Sequence, residues 1–246
     1  MILEKGSDMT TQKKTIVCIP GLGASKASFS ALAETILAEK CNVLAIDLPG
    51  FGDHFADSVP DEPLSMAAEM LTSVVESIGC QNVILVGHSL GGAVALLTAQ
   101  RVKGEVWGVA SIEGNLVAED CGMSRRVANA SNIAEGEAIK ARAVYEAGRS
   151  DNAGVRAWSA DLAKISYDTL SKYSKNLVDL SDSEVLLQQF LRDSYRKVYL
   201  YGEEYIGHPV LPRLSSVQRV FIPKAGHVNF TGDAPHTCAV AISKLL

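Results

Sequence analysis

Val83-Ile84-Leu85-Val86-Gly87-His88-Ser89-Leu90-Gly91-Gly92 is the stretch on which the reading of the chain turns. Four consecutive apolar residues suit a strand buried on both faces. Residues 90–101 follow directly and are rich in small side chains, among them Ala93, Ala95 and Ala99, as a helix packed tightly on a sheet should be. The turn between the two must be sharp. It holds Ser89 in a strained backbone conformation, and the flanking glycines keep the neighbouring strand and helix from clashing. A serine placed there stands at the carboxyl end of a strand and beside the free N–H groups of a helix's first turn, where a developing oxyanion is stabilised. Strand, Gly-x-Ser-x-Gly and helix in that order make Ser89 a candidate nucleophile. His88 fills the variable position of the turn and is expected to point elsewhere.

Outward from this turn, short apolar runs at 15–19, 43–47, 83–86 and 106–112 alternate with helix-length periodic segments, the pattern of parallel strands linked by crossover helices. Phe29, Leu32, Ala33, Ile36 and Leu37 share one helical face, and Leu64, Ala67, Ala68, Leu71, Val74, Val75 and Ile78 share another. From 119 to 194 the apolar strand-like runs stop, and 137–147 and 153–164 have helical composition. Ser181-Asp182-Ser183-Glu184 has the spacing of a capping box ahead of Val185-Leu186-Leu187. Strand pattern returns at 198–201 and 219–222, and 234–246 closes as a helix. The expectation is an α/β fold: a mostly parallel sheet flanked by helices, with a helical cap inserted before the last two strands. The core would comprise 1–116 and 196–246, and the cap 117–195.

A chain of 246 residues with 47% hydrophobic and 21% charged content can bury one full core. A formal charge of -5 and the lack of a long Lys/Arg run argue against a nucleic-acid partner. No apolar run reaches membrane-spanning length, and 1–14 carry Glu4 and Asp8 where a signal peptide would have an apolar core. Cys18, Cys41, Cys80, Cys121 and Cys238 are scattered and odd in number, which fits a reduced, cytoplasmic protein. No spacing suits a metal site or a phosphate loop, so neither metal nor cofactor is expected.

With these motifs assembled, the sequence resembles the α/β-hydrolase superfamily along nearly its whole length. Gly87 to Gly92 matches the nucleophile elbow, Pro20-Gly21-Leu22-Gly23 looks like the oxyanion loop, and Asp47-Leu48-Pro49-Gly50-Phe51-Gly52 is similar to the loop after the second strand. Ala225-Gly226-His227 matches the position of the catalytic histidine. There are two departures: Pro20 stands where many members have histidine, and few residues precede Thr15, so the family's leading strands would be shortened. The resemblance implies oxyanion donors at the backbone N–H groups of Leu22 and Leu90. His227 is favoured as base, because it follows the last apolar run by a short loop. His54, His208 and His236 read as surface residues.

The acid that orients the histidine stays open. The commoner position in the family, three residues past the glycine that ends the strand after the insertion, is Tyr205, which has no carboxylate. Glu204 or Glu203 would have to shift into its place. Glu113 is favoured, because it ends the preceding strand directly after buried residues and beside Gly114, a position hard to explain as a solvated charge. Asp47 and Asp120 are remoter options. A serine nucleophile argues against the fold's dehalogenases and epoxide hydrolases, which need a carboxylate there. The expected activity is hydrolysis of a small carboxylic ester by a monomer or small homo-oligomer. Alternatives are a thioesterase, a C–C hydrolase, a lyase, a small-molecule binding module or a scaffold with a dead site.

Overall fold

The computed structural model describes residues 13–246. The expectations about a leader segment and shortened leading strands rest largely on residues 1–12, which lie outside the described residues. Six strands form one parallel sheet: β1 (Thr15–Ile19), β2 (Asn42–Ala45), β3 (Val83–His88), β4 (Gly108–Ile112), β5 (Arg196–Tyr201) and β6 (Gln218–Phe221), in the order β2-β1-β3-β4-β5-β6. In chain order the helices are α1 (Ile36–Lys40), α2 (Pro63–Ile78), α3 (Leu90–Arg101), α4 (Met123–Ala128), α5 (Ile133–Gly148), α6 (Ala153–Lys164), α7 (Tyr167–Asp182), α8 (Val185–Arg192), α9 (Val210–Arg213), α10 (Phe230–Asp233) and α11 (Pro235–Ser243). This is the α/β-hydrolase fold, with α4 to α8 between β4 and β5.

β1, β3 and β4 are buried along their whole length and mostly apolar because both faces of the sheet are covered. Val17, Ile19, Val83 and Leu85 pack with α2 and α3 through Leu64, Leu71, Val75 and Val94. Ile16, Cys18, Ile84 and Val86 pack on the other side with Phe29, Leu32, Leu37, Ala239 and Ile242. The chain leaves β1 toward β2 on one side and returns to β3 on the other, so a crevice opens where β1 and β3 separate. Such a switch point is where open α/β sheets bind their ligands.

Three local expectations are corrected. The helix expected through Phe29 and Leu37 is a 3-10 helix, Lys26–Glu34, followed by the separate α1. Thr35 interrupts it in an extended conformation, and its hydroxyl accepts a bond from the Leu37 N–H at 3.3 Å. The capping box at 181–184 is not formed either. Ser181 lies within α7, and Glu184 sits at φ 54° ahead of α8 with its carboxylate on Arg213. Strand ends also move: β2 stops at Ala45, and the carboxylate of Asp47 turns back to accept from the N–H groups of Lys26 and Asp53.

Gly87 and Gly91 are glycines because of close backbone approach. A Cβ on Gly87 would lie 2.3 Å from the carbonyl oxygen of Gly91, and one on Gly91 would lie 2.1 Å from that of Ile19. Backbone cannot yield as a side-chain tip can, so Gly91→Ala should lower stability by about 3 kcal/mol. Gly104→Ala, where the nearest atom is 3.7 Å away, should change it by less than about 0.5 kcal/mol. Urea-denaturation midpoints of the two variants check this, and equal midpoints would contradict it.

Candidate active site

Ser89 follows β3 with φ 51° and ψ −121°, a strained conformation for a residue with a side chain, and α3 begins at the next residue. Its N–H donates to the carbonyl of Ile112 at 3.0 Å, and its carbonyl accepts from Gly92 at 2.8 Å. The turn is thus tied to β4 on one side and to α3 on the other. Among the described residues the N–H groups of Leu22 and Leu90 donate to no other protein group. Leu22 lines a cavity of about 470 Å³ together with Ser89 and His227, and Leu90 opens α3 next to Ser89.

Glu113 is the second non-glycine residue of the site with a positive φ, 43°. Its N–H donates to the carbonyl of Leu200 at 3.0 Å, which extends the β4–β5 ladder by one residue. The left-handed twist then turns the side chain across the end of β5. Its Oε1 accepts from the Gly202 N–H at 2.7 Å, and its Oε2 lies 2.5 Å from Nδ1 of His227. The Glu113 side chain is fully buried. A buried carboxylate without partners costs several kcal/mol, so having both oxygens engaged is what makes the position tenable.

Glu203 and Glu204 hold the backbone of the histidine loop and leave the ring alone. Glu204 Oε1 accepts from the His227 N–H at 3.0 Å, and Glu203 Oε1 accepts from the Lys224 N–H at 3.1 Å. Tyr205 lies flat beside the imidazole, ring centroids 6.0 Å apart and planes 9° apart. It flanks the histidine where a carboxylate would have bonded it.

Residues 16–241 match the model of the alpha/beta hydrolase family. The chain belongs to the alpha/beta hydrolase family. Over 86 residues it is 30% identical to a Mycoplasma genitalium protein named as an esterase/lipase, covering 35% of this chain and 32% of that one. Over 85 residues it is 33% identical to the mouse sn-1-specific diacylglycerol lipase ABHD11, covering 34% and 27%. The matches therefore span about a third of these relatives' length. The solved structure of a mutant of the N-acyl homoserine lactonase AidH, complexed with N-hexanoyl homoserine lactone, superposes with TM-score 0.72 at 17% identity, over 95% of this chain and 89% of that one. That likeness is one of fold.

Two histidines of this hydrolase-family chain depart from expectation. His88 does not point away: its ring lies 5.0 Å from that of His227 and lines the same cavity. His208 is no surface residue, since it lines the cavity and stacks on Tyr205 at 4.3 Å. Its Nε2 is 3.7 Å from Oδ1 of Asp120. Asp120 accepts at Oδ2 from the N–H groups of Leu116 and Val117 and at Oδ1 from the Tyr205 hydroxyl at 3.3 Å. Burial pushes its carboxyl above the usual range, and burial first, then the Asp120 charge, raises the Tyr205 phenol. His54, by contrast, is exposed and pairs with Asp57.

Sequence reasoning also passed over Asn115, whose Oδ1 takes the Ser89 hydroxyl at 3.4 Å and whose Nδ2 donates to the Asp120 carbonyl at 3.1 Å. Its nearness to Glu113 in the chain was the signal available. Among the described residues no group of three or more His, Cys, Asp or Glu could hold a metal ion, and no helix is long and apolar enough to cross a membrane.

Burial, reinforced by the charge of His227, lowers the pKa of His88 to about 3, so this imidazole stays neutral. The unfolded chain takes up that proton near pH 6.5. Between pH 6.5 and 3 the unfolded state therefore binds more protons at this position, and the contribution of His88 to stability falls as pH falls through that window. The His88 ring resonances should show no titration between pH 8 and 4.5 in the folded protein. A midpoint near 6.5 would contradict the burial assigned here.

Proposed function

We propose that this chain is a serine hydrolase that cleaves a small carboxylic ester through an acyl-enzyme on Ser89. His227 acts as general base and Glu113 holds it, while the N–H groups of Leu22 and Leu90 receive the oxyanion. The observation that carries this reading is the 2.5 Å contact of Glu113 Oε2 with His227 Nδ1, in a cavity that Ser89 and Leu22 also line. That contact puts a proton on Nδ1 and leaves Nε2 as the base.

In the resting site the Ser89 hydroxyl rests on Asn115. As substrate enters, the hydroxyl rotates to Nε2 of His227 and adds to the ester carbonyl, and its proton passes to the imidazole. The buried Glu113 carboxylate stabilises the imidazolium, which returns the proton to the departing alcohol. Water, activated by the same nitrogen, then releases the acid. The helices between β4 and β5 serve as a lid: Met123 of α4, Ala143 and Ala147 of α5, Trp158 of α6 and Leu177 of α7 give the cavity an apolar wall for the acyl group.

A fluorophosphonate should label Ser89, and Ser89→Ala should abolish both labelling and turnover of p-nitrophenyl and thioester substrates of graded acyl length. Mass spectrometry finding the label on another serine would overturn the assignment. Glu113→Gln keeps the size but loses the charge, so kcat should fall by about 10²–10⁴, whereas Glu204→Gln should cost far less. Steady-state kinetics of the two variants separate the two positions for the acid.

A further inference from the structure

Helix α6 touches both loops that carry the site. From the middle of the helix the indole Nε1–H of Trp158 donates to the carbonyl of Leu22 at 2.9 Å. One turn on, Asp161 Oδ2 accepts from the Ser25 hydroxyl at 2.6 Å. Leu162 lies against Gly23, close enough that a Cβ there would be 2.8 Å from its Cδ1. Positions 158, 161 and 162 share one helical face, so a single surface of α6 meets residues 22–25.

The N-terminal end of α6 meets the histidine loop. Asn152, which caps α6 through the N–H groups of Gly154 and Val155, accepts from Asn229 Nδ2 at 3.0 Å and donates to Asp233 Oδ1 at 2.6 Å. The second oxygen of Asp233 accepts from the N–H of Gly226, the residue before His227, at 3.0 Å.

We propose that α6 is a strut for the reacting groups as well as a wall of the cavity, with Trp158 as a positioning residue for the oxyanion donor Leu22. The inference rests on the ester-cleaving reading and deepens it. Gly23, at φ +75°, takes the left-handed conformation that the loop needs after Leu22. The Gly21 carbonyl accepts from the Ala24 N–H at 3.1 Å, and without outside support this turn could open and carry the Leu22 N–H away from the oxyanion position. With the Leu22 carbonyl held by the indole, Ser25 held by Asp161 and Leu162 filling the space beside Gly23, that opening is resisted while α6 is seated. An oxyanion donor is effective only when fixed beforehand, so this restraint acts on the transition state more than on substrate binding.

Trp158→Phe keeps an aromatic wall and removes only the donor. The expected result is a fall in kcat of about 10- to 100-fold with KM within about threefold. Fluorophosphonate labelling of Ser89 should slow, and the affinity for a trifluoromethyl ketone should weaken by the same factor as kcat/KM. The thermal midpoint should be little changed. Ser25→Ala, which loosens the same loop from the Asp161 side, should move the same quantities the same way, and it decides the matter if Trp158→Phe does not fold. A raised KM with kcat and labelling rate intact would show that Trp158 only lines the cavity, and would overturn the proposal. A wild type that labels but hydrolyses no ester or thioester rejects the ester reading alone, since the labelling rates still test Trp158. A wild type that does not label at Ser89 rejects both.

Discussion

The constraint on which the rest of this molecule depends is the closeness of three backbones at the carboxyl edge of the sheet. The end of β1, the turn after β3 and the first turn of α3 approach so nearly that Gly91 faces the carbonyl of Ile19 with no room for a methyl group. Only with that approach does Ser89 stand clear of strand and helix, close to the loop that carries Leu22. The strain at Ser89 is held by its bonds to Ile112 and Gly92, and these tie the geometry of the serine to the packing of β3, β4 and α3. Local distortion is tolerated because the surrounding core over-determines it.

The same edge explains how the carboxylate changes strands. β4 and β5 are neighbours in the sheet, so a side chain leaving the end of one can cross to the loop beyond the other. Glu113 makes that crossing by adopting a left-handed backbone and resting on the Gly202 N–H. With the histidine held from β4, residues 203–205 after β5 serve the backbone instead: Glu203 and Glu204 accept from the loop, and Tyr205 forms a flat wall beside the ring. The buried Asp120, its tyrosine and His208 extend this wall. The cavity therefore joins this acidic, aromatic wall to a mixed one from α4 to α7, where Met123, Ala143, Trp158 and Leu177 stand beside Ser124, Arg126 and Glu146.

The helices between β4 and β5 are joined to the core by polar as well as apolar contacts. Tyr173 of α7 donates to the carbonyl of Pro49, Asn176 accepts from the Leu64 N–H at the start of α2, and Gln189 of α8 donates to the carbonyl of Leu96 in α3. Each bond ties α7 or α8 to a different part of the core: the loop after β2, α2 and α3. α7 and α8 are thereby anchored to the core, and α6 reaches the loops on both sides of the candidate site.

The fold was legible in the sequence because its decisive signals are local. An apolar strand, a glycine-bounded turn and a small-residue helix must follow one another in the chain, and the periods of 2 and 3.6 around them mark strands from helices without knowledge of any contact. Ser89 was legible for the same reason, and Glu113 because a charge placed directly after a buried run conflicts with its surroundings. The positions of His88 and His208 could not be read this way, because polar neighbours in sequence say nothing about neighbours across the sheet edge. The break at Thr35, a local N-cap on α1, was also missed, as was the failed capping box at Ser181, where Glu184 pairs with Arg213 instead. Asn115, Trp158 and the bonds of α6 to residues 22–25 and 226–233 join elements as far as 136 positions apart. Chain order determined which groups this protein carries to one edge of its sheet, and only the packed structure decided which of them touch, since a hydrogen bond depends on distance and direction that sequence spacing does not encode.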